Sequence, residues 1–322
     1  MPEVKNRHSL EYRDIKLVPK KSILNSREEA FVSSYLGKHK FRVPVCAANM
    51  KSILTPQICK TFDDLGWRYT YHRVGGVRDV ASFVRFANES LNLTSISIGV
   101  GQEWTDFLSA AAIYKYRLDY VLIDVAHCWN DNILSTIDTV QRLFPDTYLI
   151  VGNTSSPECV EWLEALGVDC VRVGQGVSSA CRTSQYTGFG STSLGTLLDC
   201  SAAAKKIKIM SDGGITSEGK DVWIGDIAKA IRFGADWVTS GALFSKCIDS
   251  PALLNGYAGN SSAEMKGHSR NVEGSVVSVQ TNGLTINQMM SLIEDSLRSS
   301  VSYSGGKDLS ALRTVDIIDM RK

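Results

Sequence analysis

One cysteine in this chain stands where a nucleophile would. Cys181 ends the loop Gly174-Gln175-Gly176-Val177-Ser178-Ser179-Ala180, which follows the apolar run Cys170–Val173 and leads into Arg182-Thr183. Glycines at 174 and 176 let the backbone come close to a ligand and turn its N–H groups inward. A thiol at the mouth of such a loop, among donors that favour the thiolate, has the setting a nucleophilic cysteine requires. A cysteine taken at random is more often a buried thiol, so the weight rests on the loop around it. The other cysteines, at 46, 59, 128, 159, 170, 200 and 247, form no CxxC pair, and the five histidines never pair at metal-ligand spacing. That pattern reads as reduced thiols in a cytoplasmic compartment, with neither a disulfide framework nor a structural transition metal.

A loop of this kind needs a rigid scaffold. Short apolar runs recur at Val45–Asn49, Trp67–His72, Ile96–Val100, Tyr120–Ala126, Tyr148–Asn153, Cys170–Gly174, Ile207–Asp212 and Trp237–Gly241. Amphipathic stretches separate them, among them Asn132–Leu143, Pro157–Leu166 and Gly225–Phe233. Eight strand–helix units predict an α/β protein of the (β/α)8 (TIM) barrel type, in one domain spanning 1–322. An open doubly wound sheet is the rival, better suited to five or six strands. Residues 1–40 read as a polar, basic N-terminal extension. The Gly/Ser/Asn-rich segment at about 250–274 reads as a mobile lid, 275–282 as a hairpin or extended piece, and 286–322 as a C-terminal helix with a loosely held tail. A net charge of +1 with 21% charged residues argues against nucleic acid or a membrane surface as partner. The polar, charged residues after Met1 do not read as a secretory leader, and no apolar run has membrane-spanning length.

The strand ends suggest what the barrel holds. Loops after the last two strands of such barrels commonly bind phosphate. Here those positions carry Asp212-Gly213-Gly214 and Ser240-Gly241, with no lysine, so backbone N–H and hydroxyl groups must hold the anion. Ser179 adds donors from the cysteine loop. Asp212 beside the phosphate suits a ribose diol, whose two hydroxyls a carboxylate can accept. A nucleoside monophosphate is the ligand these features fit. Tight-turn duty alone remains the plainer role for the glycine pairs.

The same residues carry a resemblance. Leu17-Val18-Pro19-Lys20, Ala47-Ala48-Asn49-Met50, Ile123-Asp124-Val125-Ala126, Val151-Gly152-Asn153, the cysteine loop through Thr187-Gly188-Phe189-Gly190, Ser211-Asp212-Gly213-Gly214 and Val272-Glu273-Gly274 together resemble the IMP dehydrogenase/GMP reductase family, over nearly the whole chain. The resemblance implies a (β/α)8 barrel, usually a homotetramer, in which the loop cysteine attacks C2 of a purine nucleoside monophosphate. It further implies catalytic roles for Cys181, Thr183 and Glu273. Nucleotide contacts would come from Asn153, Ser179, Asp212, Gly213, Gly214, Ser240, Gly241, Asn260 and Ser261. Cofactor contacts would come from Arg73, Asp124, Ala126 and Arg270, and from Ser299 and Tyr303 of a neighbouring subunit. A monovalent cation, K+ in kind, would lie near Gly174, Gly176 and Cys181.

Within the family the chain looks like a reductase, taking GMP or an analogue such as dGMP to an IMP-type product and ammonia with NADPH. The dehydrogenase alternative, IMP to XMP with NAD, usually has inserted regulatory modules and a long flap with an arginine–tyrosine pair. Here only residues 263–272 lie between Ser262 and Glu273, with Arg270 and no tyrosine. A third alternative is a non-catalytic purine-nucleotide binder, which would need none of Cys181, Thr183 and Glu273. The chain departs from the family at Lys51, at Arg73 in place of lysine, at His127-Cys128, at Ser178 and at Asn260. Arginine keeps its proton at neutral pH, which counts against a proton relay at position 73. These departures surround the base and the redox partner, whereas the phosphate and ribose motifs persist.

Overall fold

The computed structural model describes residues 9–177, 181–215, 222–270 and 272–321. Seven of the eight apolar runs form one parallel sheet, because strands covered on both faces can be apolar at every position. Around the sheet the order is Val45–Ala47, Trp237–Ser240, Lys208–Asp212, Cys170–Val173, Tyr148–Thr154, Tyr120–Asp124 and Ser95–Ile98. The run at 67–72, expected as a regular strand, is instead an extended segment held at isolated bridges. Arg68 bridges Cys46, and Tyr71 bridges Ile96. Tyr71 donates its N–H to Ser95 (3.0 Å) and accepts from Ser97 (2.8 Å). This segment occupies the eighth position and closes a (β/α)8 barrel.

Side-chain alternation separates two packing layers. Val171 and Val173 face out, into the large core beneath the helices, whereas Cys170 joins Tyr120, Leu122, Ile150, Met210 and Trp237 in a small inner cluster. The helices begin where the sequence supplies caps: Thr55 accepts from the N–H of Ile58 ahead of Pro56–Asp64, and Thr285 with Gln288 forms a capping box for Ile286–Tyr303. The expected helices appear as Leu134–Leu143, Pro157–Ala165, Asp226–Arg232 and Ile286–Tyr303.

The extension at 1–40 does more than its polarity suggests. Ser34–Leu36 and His39–Phe41 form a hairpin whose Leu36 and Phe41 enter the inner cluster. Tyr120 and Trp237, each the first residue of its strand, hold this plug by donating to the carbonyls of Leu36 (2.7 Å) and Tyr35 (3.2 Å). The hairpin therefore seals the N-terminal mouth, leaving the C-terminal rim for ligands. The tail, expected to be loose, is also tied down, since Ile317–Asp319 pairs antiparallel with Ile15–Leu17. Within the expected lid, Tyr257–Ala258 pairs with Val276–Val277, and Ser262 caps the short helix Ala263–Lys266. Among the described residues no helix is long and apolar enough to cross a membrane.

Candidate active site

Under the C-terminal rim lies a buried charge network. Arg172 points inward from Cys170–Val173, and a glycine makes room for it: a Cβ on Gly152 would lie 2.5 Å from that of Arg172. Its guanidinium pairs with Asp124, donates to Asn49 Oδ1 (2.6 Å) and Asn153 Oδ1 (2.5 Å), and stands 3.4 Å from Asp212. Burial alone would push the Asp124 carboxyl up, but Arg172 and then Arg73 outweigh it and hold it below its ordinary value. Burial likewise opposes the charge on Arg172, and Asp212 and Asp124 more than restore it. Asn153 completes the ring, donating from Nδ2 to Asp212 (2.7 Å) and to the Gly174 carbonyl (2.7 Å).

Above this network is a cavity of about 190 Å³, and Cys181 is on its wall. All eight cysteines are free; seven are buried and Cys181 alone is not. Thr183 Oγ1 donates to Glu273 Oε2 (2.9 Å) and lies 3.2 Å from Cys181 Sγ. A hydroxyl has one proton, so with that proton on Glu273 its oxygen is left to accept from the thiol. Thiol, hydroxyl and carboxylate thus form a proton path from the sulfur to Glu273. Backbone pairing fixes the arrangement: Arg182 donates its N–H to the Glu273 carbonyl (2.7 Å), Cys181 bridges Gly274, and Gly274 in turn bonds Ser261 (3.2 Å).

The structure brings most of the expected residues to this one cavity. Arg73, Asp124, Ala126, Asn153, Gly174, Gly176, Cys181, Thr183, Asp212, Gly213, Gly241, Asn260, Ser261 and Glu273 line it. Gly213 and Gly214 both take positive φ, at 81° and 74°, the left-handed turn that the Asp-Gly-Gly spelling suggests. Gly214 and Ser240 stand behind the wall, and the buried Ser240 hydroxyl accepts from the N–H of Leu243 (3.4 Å). Ser179, together with the adjoining Ser178 and Ala180, lies outside the described residues. Arg270 is exposed, in the segment after the short helix Ala263–Lys266. Ser299 and Tyr303 are on the C-terminal helix away from this cavity, where both bond the Arg27 guanidinium (3.1 and 2.8 Å). Of the departures, Lys51 is exposed, and buried Cys128 lies with its sulfur 3.8 Å from that of Cys159. Among the described residues no three His, Cys, Asp or Glu side chains converge as a metal site.

Two residues with structural command of the site were not singled out from the sequence. Arg172 reads as an interruption in an apolar run; its inward position is legible only from the alternation of the strand. Gln175 donates from Nε2 to the Ala126 carbonyl (2.7 Å) while its Oε1 accepts from Ser155 (2.6 Å), joining the cysteine loop to the end of the Tyr120–Asp124 strand. No local pattern marks such a long-range tie.

A family model described as IMP dehydrogenase / GMP reductase domain matches residues 9–320. The chain belongs to the IMP dehydrogenase/GMP reductase family. It is accordingly an oxidoreductase built on the family's barrel. Similar relatives include GMP reductases of Helicobacter pylori, 37% identical with 96% of this chain and 95% of the relative covered, and of Lactobacillus gasseri, 38% identical with 96% and 94% covered. A GMP reductase of Staphylococcus aureus is 37% identical, with 97% and 96% covered.

Proposed function

We propose that the protein catalyses the NADPH-dependent reductive deamination of a purine nucleoside monophosphate, GMP or a close analogue such as dGMP, through a covalent adduct of Cys181 at C2. The observation that carries this reading is the Cys181–Thr183–Glu273 path at the wall of the cavity. The kinship with proteins named GMP reductase supports the substrate class.

The cavity residues suit each part of the reaction. Thr183 accepts the thiol proton as the sulfur bonds to C2, and Glu273 takes it up through the hydroxyl. The pair then returns a proton to the departing 2-amino group, so that ammonia rather than amide anion leaves. NADPH held beside Asp124 and Ala126 would supply the hydride that replaces the amino group, and breaking of the C2–S bond restores the Cys181 thiolate. The balance is GMP, NADPH and two protons to IMP, ammonium and NADP+. The neighbourhood of Asp124 and Ala126 fits a nicotinamide. Arg73 is anchored there through Nε to the carbonyl (2.9 Å) and carboxylate (3.2 Å) of Asp124, and its terminal nitrogens make no bond to the described residues. Asp212 Oδ2 is engaged by Asn153, which leaves Oδ1 for the ribose, and Gly213, Gly241 and Ser179 are the phosphate ligands of this reading. Arg270 meets the dinucleotide phosphates, Ser299 and Tyr303 serve a neighbour's cofactor in a cytoplasmic homotetramer, and K+ binds carbonyls around Gly174, Gly176 and Cys181.

Incubation of the purified protein with GMP and NADPH tests the proposal. Equal amounts of NADPH consumed and ammonia released are expected, and Cys181→Ala should lose at least about a thousandfold in kcat while still binding nucleotide. NADH formed from IMP and NAD instead would overturn the reductase direction. Full turnover by Cys181→Ala would remove the covalent step.

A further inference from the structure

The loop that follows the strand Tyr120–Asp124 is pinned by backbone bonds on either side of an exposed middle. Val125 donates its N–H to the Gly152 carbonyl (2.8 Å) and accepts from Asn153 (2.7 Å), and the Cys128 N–H donates to the Asn153 carbonyl (2.9 Å). Between them Ala126 and His127 are exposed, and the side chain of Gln175 reaches both from across the rim. Its Nε2 donates to the Ala126 carbonyl (2.7 Å) and lies 3.3 Å from His127 Nδ1, while its Oε1 accepts from Ser155 Oγ (2.6 Å). A carbonyl oxygen only accepts, so the amide nitrogen must face Ala126 and the amide oxygen Ser155. The second amide proton is then available to His127, which accepts at Nδ1 and carries its own proton on the other ring nitrogen. The base of this tie is itself fixed. The Gln175 carbonyl accepts from the N–H and the hydroxyl of Ser191 (3.1 Å each), and the Gln175 N–H donates back to that hydroxyl (3.2 Å). Gln175 belongs to the loop that ends in Cys181, and both residues line the same cavity.

We propose that Gln175 is a positioning residue that sets the distance between the loop carrying Ala126 and the loop carrying Cys181, and so holds the hydride donor against C2. This rests on the reading of the cavity as a nucleotide oxidoreductase site with Cys181 as nucleophile. Attack by the sulfur requires the nucleotide and the Cys181–Thr183–Glu273 path. Hydride transfer requires in addition that donor and acceptor carbons stand about 3–3.5 Å apart. A shift of about 1 Å between the two loops therefore spares the first step and slows the second, by about a hundredfold. One of the groups that Gln175 holds, His127, departs from the family pattern, so the tie is not part of what the resemblance implies.

Gln175→Met keeps the length of the side chain and removes both donors, and three readouts test the proposal. In hydrogen exchange the Cys128 N–H should exchange at least about tenfold faster than in the wild type, with the strand Cys170–Val173 unchanged. GMP affinity and the rate of Cys181 alkylation by iodoacetamide should stay within about threefold of the wild type. The single-turnover rate of NADPH oxidation with GMP should fall at least about tenfold. Ser155→Ala frees the other end of the amide, should move the same readouts the same way, and takes over if the methionine variant does not fold. An unchanged hydride rate, unchanged exchange at Cys128, or a loss of GMP affinity as large as the loss of hydride rate would overturn the proposal. Any of these beside wild-type turnover of GMP and NADPH leaves the reductase reading standing. NAD reduction with IMP instead, slowed at least about tenfold in the variant, sinks the reductase reading and leaves this one in place. No nicotinamide turnover by the wild type in either direction removes both.

Discussion

Two guanidinium groups are buried inside the barrel, and they are held in opposite ways. Arg172, near the C-terminal strand ends and 5% exposed, is surrounded by Asp124, Asp212, Asn49 and Asn153. Arg68, 1% exposed, has no carboxylate partner among the described residues: it bonds the Tyr69 carbonyl and Ser95 Oγ (2.9 Å), lies 4.2 Å over the Tyr120 ring, and leaves Nε and Nη2 unpaired among them. The first arrangement fixes four side chains that line the cavity. The second packs against the aromatic ring that also secures the hairpin plug. The difference teaches that the same side chain orders a cavity wall at one end of the barrel and supports closure at the other, according to whether carboxylates surround it.

The largest effect should come from removing the paired cation. Arg172→Leu takes the main counter-charge from buried Asp124, which keeps only Arg73, and from half-buried Asp212, and should cost about 3 kcal/mol, read as the shift in a urea unfolding midpoint. It should also abolish nucleotide binding. The charge on Asp124 has a second signature. Its pKa is lowered on folding, so it adds stability above its unfolded value near 3.8, which is lost as pH falls through the folded value. The acid-unfolding midpoint should therefore move up in the variant.

A buried base without a good partner should show the opposite dependence on charge. Burial pushes His72 down to about 4, with Asp79 at 3.8 Å opposing and Lys51 assisting. The unfolded chain takes up a proton near pH 6.5 and the folded one only near 4, so stability falls as pH drops across that window, by about 3 kcal/mol in all. His72→Gln should flatten the stability profile there; an unchanged slope would mean that the imidazole is charged in the fold. The smallest effect is expected at Arg68. Arg68→Met strands no carboxylate and keeps much of the apolar contact with Tyr120, so its stability should change by about 1 kcal/mol or less. A loss as large as that of Arg172→Leu would break the comparison.

Much of this was legible before any coordinates. Fully covered strands show as uninterrupted apolar runs, so seven strands and the rim at their ends could be read directly. The run at Trp67–His72 has the same look, yet Arg68 points inward within it and only single bridges form. Pattern reports burial there, not ladder geometry. The hairpin Ser34–Phe41 went unseen because only Leu36 and Phe41 of its strands are buried, amid residues such as His39 and Lys40. Local spelling was enough to single out Cys181 and the Asp-Gly-Gly turn, and the family resemblance was needed for Thr183 and Glu273. Spelling was not enough for Arg172 or Gln175, whose roles depend on partners dozens of residues away.

The pairing of Ile15–Leu17 with Ile317–Asp319 has a consequence for how the protein comes into being. During translation the first of these segments leaves the ribosome some three hundred residues ahead of its partner. It must wait, unpaired, while the whole barrel between the two segments is made. The seam that joins them is therefore among the last contacts of the fold to form.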